Sequence, residues 1–478
     1  MRQLSFALVL VTLAFCLACG SGSSSRIIVP KGNFSNASLS GQYVYQISGF
    51  DFRNNSNGLP YREAGVFVAD GNGNITGGAD DFSEGSAGVS STSASGVYSI
   101  NNDGTGQIIL NGLTLEITLI NASKLYLIEG DTFLDGGGMA EKQDTSAIAA
   151  PPSGTFAFRV HVENASVPSA SVGALTITTG SVSGKEDVLA LGGTLSSQIL
   201  SGAFNAPVSF GRGTATLNNG STALQFFYYV VSASKFLLLS KDAGVIGTTQ
   251  AEAQSGTPFA TTSLSGSYAF GSKGDTAISL GGVNSAGRFS ARNGAITAGV
   301  LDSVKDGATS NISFNAGTYT VDSTTGRVDV TLNASSSIHE IFYLISSSRA
   351  FFLVDDSSKV EDGTLDLQQS SSFSNASLNG QFAFVMDGFD TTLKDRVGTL
   401  QADGNGSLTL NELANAGGVI SVPGPLSGTY SVSTNGRTTA SISSLSRNLI
   451  LYLVSSNDAY MVQLDSGTEI SGTISKQP

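Results

Sequence analysis

The stretch Leu39-Ser40-Gly41-Gln42-Tyr43 decides the fold because it returns: as Leu264-Ser265-Gly266-Ser267-Tyr268, as Leu378-Asn379-Gly380-Gln381-Phe382 and, more loosely, as Pro152-Ser153-Gly154-Thr155-Phe156. Its glycines are 113, 112 and 114 residues apart. Two copies share the whole lead-in, Phe34-Ser35-Asn36-Ala37-Ser38-Leu39 and Phe373-Ser374-Asn375-Ala376-Ser377-Leu378. A second marker, Gly-x-aromatic, follows in mid-repeat at Gly96/Tyr98, Gly202/Phe204, Gly317/Tyr319 and Gly428/Tyr430. A third closes each unit: Ser123-Lys124-Leu125-Tyr126, Ser234-Lys235-Phe236-Leu237, Ser348-Arg349-Ala350-Phe351 and Asn457-Asp458-Ala459-Tyr460. Three markers in one order, four times over, are the mark of duplication. A period above 100 residues is longer than a solenoid repeat or a propeller blade, so each copy is expected to hold its own core, like a bead on a string.

Within the first copy the pattern is all strand. Residues 42–48, 65–69, 74–77, 96–100, 107–110, 113–120 and 125–129 alternate or are rich in β-branched and aromatic side chains, and a last strand is expected near 138–143. Asp70-Gly71, Asn102-Asp103-Gly104 and Asn111-Gly112 are the turn signals between them. The fold class is therefore all-β: four tandem homologous antiparallel β-barrels of about eight strands each, with a β-sandwich as the alternative. The repeats are expected over residues 34–143, 152–254, 263–369 and 373–478, joined by short polar linkers.

Composition sets wide bounds. The 478 residues carry a net charge of −13, only 13% are charged, 40% are hydrophobic, and there is no Trp. Such a chain folds, and being acidic and poor in lysine it is a weak candidate for binding nucleic acid. Arg2 followed by the apolar stretch 4–18 reads as a signal peptide over residues 1–18. Leu17-Ala18-Cys19-Gly20 then resembles the lipobox of bacterial lipoproteins, although Cys16 stands where that family prefers Leu. The resemblance implies that Cys19 is lipidated and becomes the first mature residue, that 19–33 is a flexible tether, and that the protein is held at a membrane of the bacterial cell envelope, on an outer-membrane, periplasmic or surface face. With Cys16 lost alongside the signal, the mature body has no free thiol for a disulfide or a metal.

Two further resemblances concern the repeat. Its opening Gly-x-Tyr/Phe is similar to the Gly-x-Trp that begins calycin barrels such as lipocalins and avidins, which implies a barrel. The tandem unit as a whole is similar to repeats in lipobox proteins of soil bacteria, which implies no particular chemistry.

Residues capable of chemistry are sparse. His161 and His339 occupy different places in different repeats and are read as lone strand residues, not as a duplicated site. Asp80-Asp81, Asp355-Asp356 and Glu129 with Asp131 are paired carboxylates; neighbours on one strand point to opposite faces, so they are read as solvated loop charge and not as a hydrolytic pair. Asp70-Gly71-Asn72-Gly73-Asn74 and Asp403-Gly404-Asn405-Gly406-Ser407 touch the calcium-loop pattern, but Ile75 and Leu408 stand where that loop needs Gly, so hairpin turns are expected. The recurring aromatics Tyr43, Phe156, Tyr268, Phe382, Tyr98, Phe204, Tyr319 and Tyr430 are expected in cores, and Asn36-Ala37-Ser38 and Asn375-Ala376-Ser377 are expected as lead-in turns. No catalytic residue, metal site or cofactor is expected. The expected function is non-catalytic binding of small molecules or glycans by a lipid-anchored envelope protein, possible partners including another envelope protein. A solid-cored structural or adhesive stalk is the alternative, and an envelope enzyme comes third.

Overall fold

The structure, a computed structural model, describes residues 32–55, 58–164, 167–220, 223–277, 282–335 and 337–478. Cys19 and the tether up to residue 31 lie outside the described residues. The first repeat runs β1 (Ser40–Asp51), β2 (Leu59–Asp70), β3 (Asn74–Glu84), β4 (Val89–Thr92), β5 (Gly96–Ile100), β6 (Thr105–Leu110), β7 (Leu113–Asn121), β8 (Lys124–Glu129) and β9 (Leu134–Lys142). β1 pairs with β2 on one side and β9 on the other, β2 pairs with β3, and β3 touches β5 through Asn74↔Val97 and Ile75↔Gly96. Eight strands thus close into a barrel, and β4 is a side strand on the far half of β3. The second repeat closes over Gly154–Asn164 to Val245–Ala253, and the third and fourth repeat the first barrel's pairing. Closure excludes the sandwich. The strands are longer than their sequence signals because hairpin pairing extends past the apolar positions, and the short exposed β4 has no apolar periodicity to announce it.

Each barrel has a core of its own. Along β1, Tyr43, Tyr45 and Ile47 point inward while Gln46 and Ser48 point out, the period-two geometry of a strand. Gly65, Gly173 and Gly287 recur at one position of the second strand because the ring of Tyr45, Phe158 or Phe270 lies over each; a Cβ there would sit 2.3–2.6 Å from that ring. Of the mid-repeat aromatics, Tyr98, Tyr319 and Tyr430 donate their hydroxyls to the carbonyls of Leu39, Leu264 and Leu378 at 2.7, 2.5 and 2.7 Å. These carbonyls end 3-10 turns at Asn36–Ser38, Thr261–Ser263 and Asn375–Ser377. The second barrel has no such turn, and there the position is Phe204, which needs no acceptor.

The repeats are not beads on a string. Apolar clusters join barrel one to two (Val44, Val66, Tyr229, Leu239), two to three (Val172, Leu189, Ile341, Tyr343), three to four (Ala269, Ala286, Ile450, Tyr452) and four back to one (Ile120, Tyr126, Ile128, Ala383, Val397), so the four close into a ring. A glutamine at the end of each repeat stitches it to the next. Gln143, Gln254, Gln368 and Gln477 donate their side-chain amides to the carbonyls of Val230, Leu344, Leu453 and Leu119 at 2.5, 2.6, 2.8 and 2.6 Å. The last of these runs from the fourth barrel to the first.

Three of the four junctions carry a buried ionic cluster. Asp81, Asp187 and Asp302, each 0% exposed, take the guanidinium of Arg212, Arg327 and Arg437 from the following barrel, with Nε–O distances of 2.6, 2.7 and 2.7 Å. Each also accepts a hydroxyl from that barrel, from Tyr229, Tyr343 and Tyr452, and a donor from its own sheet, Ser91, Ser197 and Asn311. At the register-equivalent places of the fourth junction stand Leu413, Thr105 and Thr118, and Leu413 packs against the apolar cluster instead. Solvated loop charge is therefore the wrong reading of Asp80-Asp81: both are in mid-strand, Asp80 taking the hydroxyl of Tyr45 from inside the barrel and Asp81 pointing outward to Arg212.

A buried ion pair costs most when only one partner is removed. Asp81→Leu should therefore destabilise the chain by about 3–5 kcal/mol, whereas the triple change Asp81→Leu, Arg212→Met, Tyr229→Phe, which removes the carboxylate, its cation and the hydroxyl together without opening a cavity, should cost markedly less. Urea unfolding of both variants checks this order.

Candidate functional site: an axial recess between the barrels

The interiors of the barrels leave little room. Aromatic and aliphatic side chains fill one half of each, and the other half holds a polar set that differs from barrel to barrel. In the first, Glu63 and Glu129 are capped by Tyr45 and Tyr61 at 3.0 and 2.8 Å. Burial pushes the Glu129 carboxyl up to about 8 and Glu63 well above the carboxylate range. Glu129 is thus also buried, against the solvated reading, while Asp131 takes the Thr114 N–H at the hairpin end and Asp355 and Asp356 lie in a loop. In the second barrel, Ser171 and Asn219 hold Glu186 beside a void of about 90 Å³. In the third, Ser272 and Lys359 hold Glu361, and in the fourth Arg447 makes a bidentate pair with Glu412 while Arg396 donates to Gln463.

Larger recesses, of about 320 and 530 Å³, lie between the barrels, and both are lined by residues of all four. The lining is built by the first strand of each barrel, whose outward side chains face the common axis. Register places Gln46, Arg159, Gly271 and Val385 at one level, Ser48, His161, Lys273 and Asp387 at the next, and Phe50, Glu163, Asp275 and Phe389 at a third. The fold is duplicated while the site is not: equivalent positions hold unlike chemistry, as one chain passing once around an axis permits.

Around this axis charges meet across the junctions. Arg62 reaches Glu163 at 2.6 Å from barrel one to two. His161 lies between Asp275 at 2.8 Å and Asp362 at 2.7 Å from barrel two to three, with Arg159 adding 3.1 Å to Asp362. Lys273 pairs with Asp387 from barrel three to four. Burial alone would lower the imidazolium's affinity for its proton, but the two carboxylates outweigh it and hold His161 up to about 10. Asp362, which is buried, and Asp275, which is half-buried, are held below the usual carboxylate range by the same contact. At the fourth junction Asp135 faces Asp395 instead. Burial first, and then the opposing carboxylate, push Asp395 well up, and burial pushes Asp135 up as well.

Among the described residues, His161, Glu163 and Asp275 bring ligand atoms within 4.8 Å of one another. Both ring nitrogens of His161 already bind carboxylates, Nδ1 that of Asp362 and Nε2 that of Asp275, so a metal at this cluster would have to displace one of those contacts. His339 is similarly held between Asp329 and Asp355, within the third barrel. The Asp70 and Asp403 segments are hairpin turns whose carboxylates accept their own backbone N–H groups, Asn72 to Asp70 at 2.7 Å and Asn405 to Asp403 at 2.8 Å. The eight recurring aromatics are all buried.

In the sequence His161 reads as a lone strand residue, whereas the structure sets it between two carboxylates of the third barrel. Arg62, Glu163, Lys273, Asp135, Asp387 and Asp395 carry no motif, and the available signal was charge on outward positions of strands that flank an apolar inward face. The molecule thus belongs to no more specific class than a closed ring of four eight-stranded barrels around a charged recess. No family model and no curated protein matches the chain. A solved protein of unknown function from the DUF3598 family of Nostoc punctiforme is similar at 8% identity, over 70% of this chain and 98% of that one, with a TM-score of 0.13. That likeness is too slight to carry an argument.

Because the pKa of His161 is raised from 6.5 to about 10, its stabilising effect is fully present below pH 6.5 and is lost as pH rises toward 10. His161→Gln should be less stable than the parent at pH 6, and the gap should close by about pH 10, as read from urea midpoints across that range.

Proposed function

We propose that this chain is a non-catalytic, lipid-anchored protein of the bacterial cell envelope that binds a small molecule or a short glycan end in the recess between its barrels. The observation that carries this reading is the distribution of space. Recesses of about 320 and 530 Å³ sit on the axis, within the range of small-ligand sites, while the void inside the second barrel is about 90 Å³. The barrel interiors, where a calycin-like resemblance would put a ligand, are filled. A stalk is less well supported, since repeats that close into a ring do not add length. The lipobox around Cys19 supports the anchor.

A thermal-shift screen of small metabolites and mono- and disaccharides against the full chain should give hits that Ser48→Trp, which fills the recess, abolishes. Hits that survive Ser48→Trp but vanish on Ser171→Phe would move the site into the second barrel and overturn the axial reading. Cys19→Ala should shift the protein from the membrane fraction to the soluble one; a variant that stays with membranes would refute the anchor.

A further inference from the structure

The charges around the axis satisfy one another. Every cation that lines the two recesses lies within 3.6 Å of a carboxylate, and at the fourth junction the carboxyls of Asp135 and Asp395 are hydrogen-bonded to each other. The groups left with hydrogen-bonding capacity are neutral. Thr364 stands opposite Gly271 on the last strand of the third barrel and lines the larger recess; it is 8% exposed, and its hydroxyl meets no partner among the described residues. Asn284, 6% exposed and lining the smaller recess, accepts the Ser471 hydroxyl through Oδ1 at 2.6 Å, while its Nδ2 meets no acceptor among the described residues. Gln250 and Gln46 donate their amide N–H groups to Glu252 and Thr248 at 2.6 and 2.7 Å, and neither side-chain carbonyl receives a donor among the described residues. All four of these atoms open on the space of the recess, as the unpaired oxygens sealed behind its wall, Glu469 Oε2 among them, do not. Arg159, Gln250 and Lys273 line both recesses, which makes them two ends of one space. Tyr460, half-buried, lies over Gly271 in the larger one, where a Cβ would sit 2.5 Å from its ring.

We propose that this space binds a neutral sugar, a single hexose or the end ring of a glycan, with its hydroxyls paired to the free groups of Thr364 and Gln250 and, toward the smaller recess, of Gln46 and Asn284. The inference rests on the axial reading above and names the ligand class. A sugar hydroxyl both donates and accepts, so it matches a wall that offers N–H groups, carbonyls and a hydroxyl together. An apolar ligand would leave those groups unpaired, and an ionic one would bring a charge for which the recess holds no free counter-charge. The ring of Tyr460 gives the C–H face of a sugar an apolar contact.

The test is calorimetric titration of the full chain with four neutral probes, glucose, galactose, mannose and N-acetylglucosamine, and three contrasting ones: glucosamine as the cation, glucuronate as the anion and cyclohexanol as the apolar ring. The expected result is that at least one neutral sugar binds at one per chain, with the three contrasting probes at least about tenfold weaker and sugar binding weakened at least about tenfold in Thr364→Val. The Thr364 hydroxyl has no protein partner to lose, so the variant keeps the fold, and the comparison between probes needs no variant at all. Equal or tighter binding of glucosamine, glucuronate or cyclohexanol, or undiminished sugar binding by Thr364→Val, would overturn the proposal. If no neutral sugar binds, the proposal fails, and the axial reading fails with it only if the wider metabolite screen also yields no hit sensitive to Ser48→Trp.

Discussion

The buried aspartate at each of three junctions is the constraint on which the assembly depends. Asp81, Asp187 and Asp302 are excluded from water, and each is made tolerable only by an arginine and a tyrosine from the next barrel. A carboxylate in that position cannot be left alone, so a barrel that carries it requires its neighbour in one orientation. The ionic cluster thus works chiefly as a specification of geometry, while the surrounding apolar contacts supply the attraction. The four glutamine stitches repeat the same orientation at every junction, the closing one included.

The fourth junction is built differently, and its difference is of one kind throughout. Where the others bury an aspartate with its arginine and tyrosine, it has Leu413, Thr105 and Thr118. Where the others place a cation against a carboxylate at the axis, it places Asp395 against Asp135. The side chain of Asn415 ties it instead, donating to the carbonyl of Leu134 at 2.7 Å. A ring closed by three strongly specified junctions has its fourth determined by geometry, which leaves that junction free to depart from the pattern.

Divergence is confined to places that duplication does not need. The aromatic half of each interior and the glycines under it are kept, because they set the strand crossing and the close approach of the sheet walls. The polar half of each interior differs: Glu63, Ser171, Ser285 and Arg396 occupy one register position. Arg396 is buried without a carboxylate of its own, and that burial lowers its pKa to about 10. The axis-facing positions differ as well, and this converts four copies of one unit into one asymmetric recess.

The sequence by itself determined the eight barrel strands of the first repeat though not their full length or the side strand β4, the turns, the four-fold duplication and the burial of the recurring aromatics. All of these follow from local periodicity and from turn chemistry within a few residues, as at Asp70-Gly71 and along Tyr43, Tyr45 and Ile47. It also carries, at Leu17-Ala18-Cys19-Gly20, a stretch that resembles a lipobox. Only the tertiary structure decided that the barrels form a ring, that Asp81 and Glu129 are buried and not solvated, and that Phe50, Asp135, Phe389 and Asp395 share one recess. The physical reason is separation: Tyr61 caps Glu129 from 68 positions away inside one barrel, Arg212, Asn415 and Thr473 reach other barrels across 131 to 347 positions, and an outward-facing charge on a strand reads the same whether water or another barrel lies opposite.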